Sequence, residues 1–141
     1  MSRIYWDSML FVYWLEDSPQ YAARIAQISA RMQERGDTLC TSVFTVGEVL
    51  TGPYRYGGEE QALRIRAAFE SSRVELIPLS VEMMDRYAHI RGSHRIAPAD
   101  AIHLASAADA GVDLFLTNDH ALHRLIIPGI HFISGLDVNL F

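Results

Sequence analysis

Strand-like and helix-like stretches take turns along the whole of this chain, and that alternation narrows the folds open to it. Short β-like runs at Arg3 to Trp6, Thr38 to Ser42, Val74 to Leu79, Val112 to Thr117 and Ile130 to Ser134 are separated by segments with helical features. Such alternation predicts an α/β fold with a central, mainly parallel sheet. Met9 to Leu15 reads as a short, apolar, largely buried helix. Ser18-Pro19 opens the next helix, on which Tyr21, Ile25, Ile28 and Met32 recur at helical spacing until Gly36. A helix around Thr45 to Leu50 carries Glu48 and ends near Gly52-Pro53. Glu59 to Ser71 is amphipathic, and Ser80 starts a helix that runs to about Arg91 and closes at Gly92. After a loop over Ser93 to Ala97, Pro98 opens an alanine-rich helix that ends at Ala110-Gly111, and a short helix is expected around His120 to Leu125.

The 141 residues suit one domain spanning 1–141, with 50% hydrophobic and 21% charged residues. No apolar run approaches the ~20 residues that cross a bilayer. Asp7 arrives before a signal-peptide core can form, and the lone Cys40 offers neither a disulfide nor a thiolate cluster, so Cys40 is expected in the core. The cytoplasm is the expected address, with no membrane partner.

All 12 basic residues are arginine, and the chain has no lysine. A P-loop is excluded for want of a glycine-rich Gly-Lys-Ser/Thr turn, and no Gly-x-Gly-x-x-Gly follows a strand. No Gly-x-Ser-x-Gly supports a serine hydrolase. A phosphoacceptor receiver domain relies on a late lysine, absent here, and a haloacid-dehalogenase-like phosphatase would need a second aspartate after Asp7-Ser8-Met9.

In open parallel sheets, functional groups gather beyond the carboxyl ends of the strands. Asp7 follows the first strand, Glu48 lies in the helix after the second, Asp100 begins the alanine-rich helix, and Asp119 follows the run Val112 to Thr117. Four acids can thus face one sheet edge. Singly, Asp7, Asp100 and Asp119 also suit helix caps. Glu48 sits among Val43, Phe44, Val46, Val49 and Leu50, where an acid needs a partner. Clustered carboxylates raise one another's pKa, and Mg²⁺ or Mn²⁺ would relieve that strain where no lysine exists to do so. The net charge of −5 argues mildly against a protein that holds nucleic acid by bulk electrostatics, an objection a neutralising metal weakens.

Ile4-Tyr5-Trp6-Asp7-Ser8, Thr45-Val46-Gly47-Glu48-Val49-Leu50, Ala99-Asp100-Ala101-Ile102-His103-Leu104-Ala105 and Leu116-Thr117-Asn118-Asp119 stand in the order and spacing of the PIN-domain nucleases. The chain resembles that family, most closely the VapC-like toxins of toxin–antitoxin pairs. The resemblance implies a three-layer α/β/α fold and Mg²⁺- or Mn²⁺-dependent endoribonuclease activity. It makes Asp7, Glu48, Asp100 and Asp119 the catalytic, metal-binding acids, with Asp7 and Asp100 the firmest ligands. Asp119 or Glu48 could instead serve as a general base. Ser8 and Thr117 would hydrogen-bond to the acids. The resemblance also implies an RNA substrate, a homodimer, and a small antitoxin packing an apolar helix into a groove, for which Tyr13, Trp14, Tyr54 and Tyr56 can supply apolar surface or serve as ordinary core and rim. The competing reading is an inactive PIN-like module that binds RNA or protein without cutting.

Arg91, His94 and Arg95 lie in or beside the loop before Asp100, where Arg91 and Arg95 could hold substrate phosphates. His120 and His123 share helical spacing but are too few for zinc. His103, one turn after Asp100, is expected to be a satisfied structural histidine.

Overall fold

The computed structural model describes residues 1–137; the expected domain runs four positions further, 138–141, outside the described residues. Among the described residues there are five strands: β1 (Arg3–Trp6), β2 (Thr38–Ser42), β3 (Glu75–Ile77), β4 (Leu114–Leu116) and β5 (Phe132–Ser134). Six helices alternate with them: α1 (Ser8–Leu15), α2 (Ala22–Arg35), α3 (Val43–Arg55), α4 (Glu59–Ser71), α5 (Val81–Ser93) and α6 (Pro98–Ala110). The sheet order is β3-β2-β1-β4-β5, and every pairing is parallel. All carboxyl ends therefore share one edge.

The sheet is covered on both faces, and its residues divide by the two-residue period of a strand. Ile4, Trp6, Leu114 and Leu116 point to a core shared with Leu10, Phe11, Ile25, Ile28, Val49 and Phe69 from α1 to α4. Tyr5, Cys40, Ile77 and Phe115 point to the other core, with Met83, Ile90, Leu104 and Ala105 from α5 and α6. This is the three-layer α/β/α arrangement. Cys40 is fully buried, as expected, and burial pushes its thiol up to about 12.

Alanines at 101, 105, 107 and 108 give α6 a small-residue surface that is buried throughout its middle. Pro98 occupies its first turn, and Gly111 closes it in the left-handed region at φ 66° before the chain enters β4.

Several boundaries differ from the sequence reading. α2 begins at Ala22 rather than at Ser18-Pro19. There the Ser18 hydroxyl accepts from the Tyr21 N–H at 3.3 Å, capping a turn in which the Tyr13 and Tyr21 rings pack at 4.4 Å. α3 runs through Pro53 to Arg55 instead of stopping near it. β3, β4 and β5 are each three residues long, and the expected helix at His120 to Leu125 is a single 3-10 turn over His120–Leu122. α3 is also less buried than its apolar sequence suggests: Thr45 and Val49 face inward while Glu48 keeps about a third of its side chain exposed, at 33%.

Candidate metal centre

β1 delivers Asp7 to the carboxyl edge, where its N–H donates to the Leu116 carbonyl of β4 at 3.2 Å. Its carboxylate does two jobs. Oδ1 caps α1 by accepting from the Met9 N–H at 3.1 Å, and Oδ2 accepts from the Thr117 hydroxyl. Thr117 in turn accepts from the Asp119 N–H at 3.1 Å, so one hydroxyl ties the two acidic turns together. Asp119 caps the 3-10 turn through Oδ1, which accepts from the Ala121 N–H at 3.0 Å. Capping and ligation are therefore not exclusive readings of these aspartates, because each has a second oxygen.

Asp100 is different. It lies in the first turn of α6, half-buried, and its carboxylate accepts no hydrogen bond from the described residues. Burial, and then the facing charges of Asp119 and, more weakly, Glu48, push its carboxyl above the ordinary value of 3.8, while the His103 ring pulls the other way. Burial also raises the Asp7 carboxyl, against the opposing hydrogen bond from Thr117 and the influence of His103. In both Asp7 and Asp100 the ionised carboxylate is therefore disfavoured, and only Asp100 lacks a hydrogen-bond donor among the described residues.

Glu48 is compensated. Burial alone would raise its carboxyl, but hydrogen bonds from His103 and Ser8 overcome that and hold it below the ordinary 4.5. Ser8 Oγ donates to Glu48 Oε1, and His103 Nε2 lies 2.6 Å from the same oxygen. The two small hydroxyls expected beside the acids, Ser8 and Thr117, each bond to one. Among the described residues, no three Asp, Glu, His or Cys side chains already form a closed cage. Asp7 is turned toward Thr117, and Glu48 toward Ser8 and His103. The donors are nonetheless all hard carboxylate oxygens, a set that fits Mg²⁺ or Mn²⁺ better than zinc.

Arg91 lies in the last turn of α5, exposed, with Nη1 donating to the Tyr87 hydroxyl at 3.4 Å, and Arg95 is exposed in the loop to α6. His120 and His123 pack edge to face at 5.0 Å, and His123 Nε2 donates to the Thr117 carbonyl at 2.9 Å, so this pair braces the turn. Tyr13 is half-buried, whereas Trp14, Tyr54 and Tyr56 are exposed. His103 is a satisfied buried histidine, as expected, yet it also touches Glu48. Tyr5, which lies in the motif Ile4-Tyr5-Trp6-Asp7-Ser8 but has no role assigned there, completes that link: its hydroxyl is 2.6 Å from His103 Nδ1. The only sequence signal for it was the one-turn offset of His103 from Asp100.

Comparison with known proteins agrees with this architecture. The family model for the PIN domain matches residues 4–127. No curated protein matches the sequence significantly. Among solved structures, VapBC2 from Rickettsia felis, bound to a DNA fragment from the promoter, is similar with a TM-score of 0.71 and 19% identity, covering 94% of this chain and 98% of that one. A toxin–antitoxin complex from Klebsiella pneumoniae gives 0.65 and 21%, covering 90% and 94%. VapC20 from Mycobacterium tuberculosis, a sarcin-ricin loop cleaving toxin, gives 0.66 and 14%, covering 87% and 96%. At these identities the structural likeness speaks for the fold, while the family match over residues 4–127 speaks for descent: the chain belongs to the PIN domain family.

Proposed function

We propose that this protein is a divalent-metal-dependent endoribonuclease that hydrolyses RNA phosphodiester bonds as the toxin of a toxin–antitoxin pair. The observation that carries the reading is the Asp100 carboxylate. It is half-buried, without a hydrogen-bond donor among the described residues, and set against the charges of Asp119 and Glu48. An arrangement that costs stability without a cation is understandable as a cation site.

Asp7, Asp100 and Asp119, with Glu48, would hold Mg²⁺ or Mn²⁺. When bound, such an ion lowers the pKa of a coordinated water and offsets charge on phosphoryl oxygens. Thr117 keeps the Asp7 and Asp119 turns in register through its two hydrogen bonds. Ser8 and His103 hold Glu48. Arg91 and Arg95, exposed on the segment leading to Asp100, would contact phosphates of the RNA.

The antitoxin reading is supported by an apolar groove between α1, α3 and α4, lined by Val12, Leu15, Val49, Pro53, Tyr56 and Ile65. Such a groove fits an amphipathic helix. The similar structures include toxin–antitoxin complexes. A homodimer and a cytoplasmic location accompany this reading; none of the described helices is long and apolar enough to cross a membrane.

The test is cleavage of an RNA panel with Mn²⁺ or Mg²⁺, with chelator, and with Asp100→Asn. Metal-dependent cleavage that the variant lacks is expected. Equal cleavage by both proteins would point to contamination, and no cleavage of any RNA would favour a binding module.

A further inference from the structure

Glu48 is held from behind by a chain of buried groups that are not among the four acids. The chain starts at the centre of the sheet. Tyr5 is fully buried, with its ring stacked on Phe115 at 5.0 Å and 7°. Its hydroxyl accepts from the Ser42 N–H at 3.2 Å and meets His103 Nδ1 at 2.6 Å. The His103 ring is wedged edge-on against Tyr5 at 5.8 Å and Phe44 at 5.5 Å, with its side chain only 5% exposed. Its other nitrogen, Nε2, reaches Glu48 Oε1 at 2.6 Å.

The donors run in one direction. An ionised Glu48 only accepts, so Nε2 donates to it. In a neutral ring Nδ1 then accepts from the Tyr5 hydroxyl, which itself accepts from Ser42. The contact with Glu48 exceeds what the ring needs, because Ser8 Oγ lies 3.0 Å from Nε2 and could satisfy it alone. Glu48, in turn, is a third exposed and could be solvated by water. Neither group needs the other for burial. What the contact does is fix a side chain with three free torsions, so that this ordering is not left until a ligand arrives.

We propose that His103 is a positioning residue: braced by Tyr5, it pins Glu48 Oε1 and leaves Oε2 as the one oxygen available at the metal centre. Oε2 accepts no hydrogen bond from the described residues, whereas Oε1 takes both Ser8 and His103. This rests on the cation-site reading above. Glu48 then enters the site as a one-oxygen ligand already in place, and the histidine acts through it without touching the ion or the RNA.

The test is Mn²⁺ affinity, by calorimetry, for wild type, His103→Leu, His103→Gln, Glu48→Gln and the double variant Glu48→Gln with His103→Leu. Loss of such a supporting partner typically weakens metal binding ~10–100-fold, and that is expected for His103→Leu. His103→Gln, whose amide nitrogen can reach the Nε2 position, recovers most of it. In the Glu48→Gln background, adding His103→Leu changes little. Wild-type affinity in His103→Leu overturns the proposal, as does an equal loss in the presence and absence of Glu48, which would mark a general structural role. If His103→Leu does not fold, Tyr5→Phe, which keeps the ring and removes its brace, takes its place with the same two outcomes. If the wild type binds no Mn²⁺, the cation-site reading fails. The positioning claim is then decided by crystal structures: a displaced Glu48 carboxylate in Tyr5→Phe supports it, and an unmoved one overturns it.

Discussion

Asp100 concentrates the energetics of the site in one carboxyl group. Its ionised form is disfavoured in the folded state, so its folded pKa lies above the unfolded value of 3.8. The sign follows from linkage: the metal-free protein loses stability as pH rises from about 3.8 through the raised value, and the penalty is complete above it. Asp100→Asn removes it. A thermal melt of chelator-treated protein near neutral pH should therefore show a higher Tm for Asp100→Asn than for wild type; an equal or lower Tm would mean the carboxylate is compensated. Asp7 shifts in the same direction. Glu48 does the opposite, contributing stability above the ordinary 4.5 that is lost as pH falls through its lowered value. At this scale the order of elements was enough to set Asp7 after β1, Glu48 within the helix after β2, Asp100 in the first turn of α6 and Asp119 after β4. It could not show that Glu48 is paired and Asp100 is not, because that difference depends on Ser8 and His103, 40 and 55 residues from Glu48 along the chain.

Helices and strands carry the acids to one edge because all five strands run parallel, and the βα alternation made that visible in advance. The boundaries that moved did so for tertiary reasons. β4 is only Leu114–Leu116, yet it is fully buried, and its Thr117 extension bonds to Ser134 of β5 at 3.0 Å. Pro53 lies within the last turn of α3 instead of ending it, and the Thr51 hydroxyl donates back to the Gly47 carbonyl at 2.8 Å just before it. The turn into β5 depends on Gly129, at φ 101°, where an added Cβ would stand 2.6 Å from the Ala108 carbonyl oxygen of α6. Gly129→Ala should destabilise the protein by ~1–3 kcal/mol in denaturant unfolding, from backbone strain and that clash together; a change below about 0.5 kcal/mol would show that the turn shifts freely. The segment joining α5 to α6 makes a separate claim. If Arg95 contacts one phosphate of single-stranded RNA, Arg95→Ala should lower the slope of log affinity against log salt by about 0.7. An unchanged slope would remove Arg95 from the RNA surface.

Over the whole molecule, two apolar cores clamp a parallel sheet so that its carboxyl edge can carry like charges. The net charge of −5 gives no general attraction for RNA, so affinity for nucleic acid depends on neutralising that edge. A cation that binds only the folded form must also stabilise it, by about 2.7 kcal/mol at a hundred times its Kd. The most direct measurement is calorimetric titration of Mn²⁺ into chelator-treated protein, wild type beside Asp100→Asn. Saturable binding by the wild type that is abolished or strongly weakened in Asp100→Asn is the predicted result. No binding by the wild type, or equal binding by both, would contradict a metal centre built on these four acids.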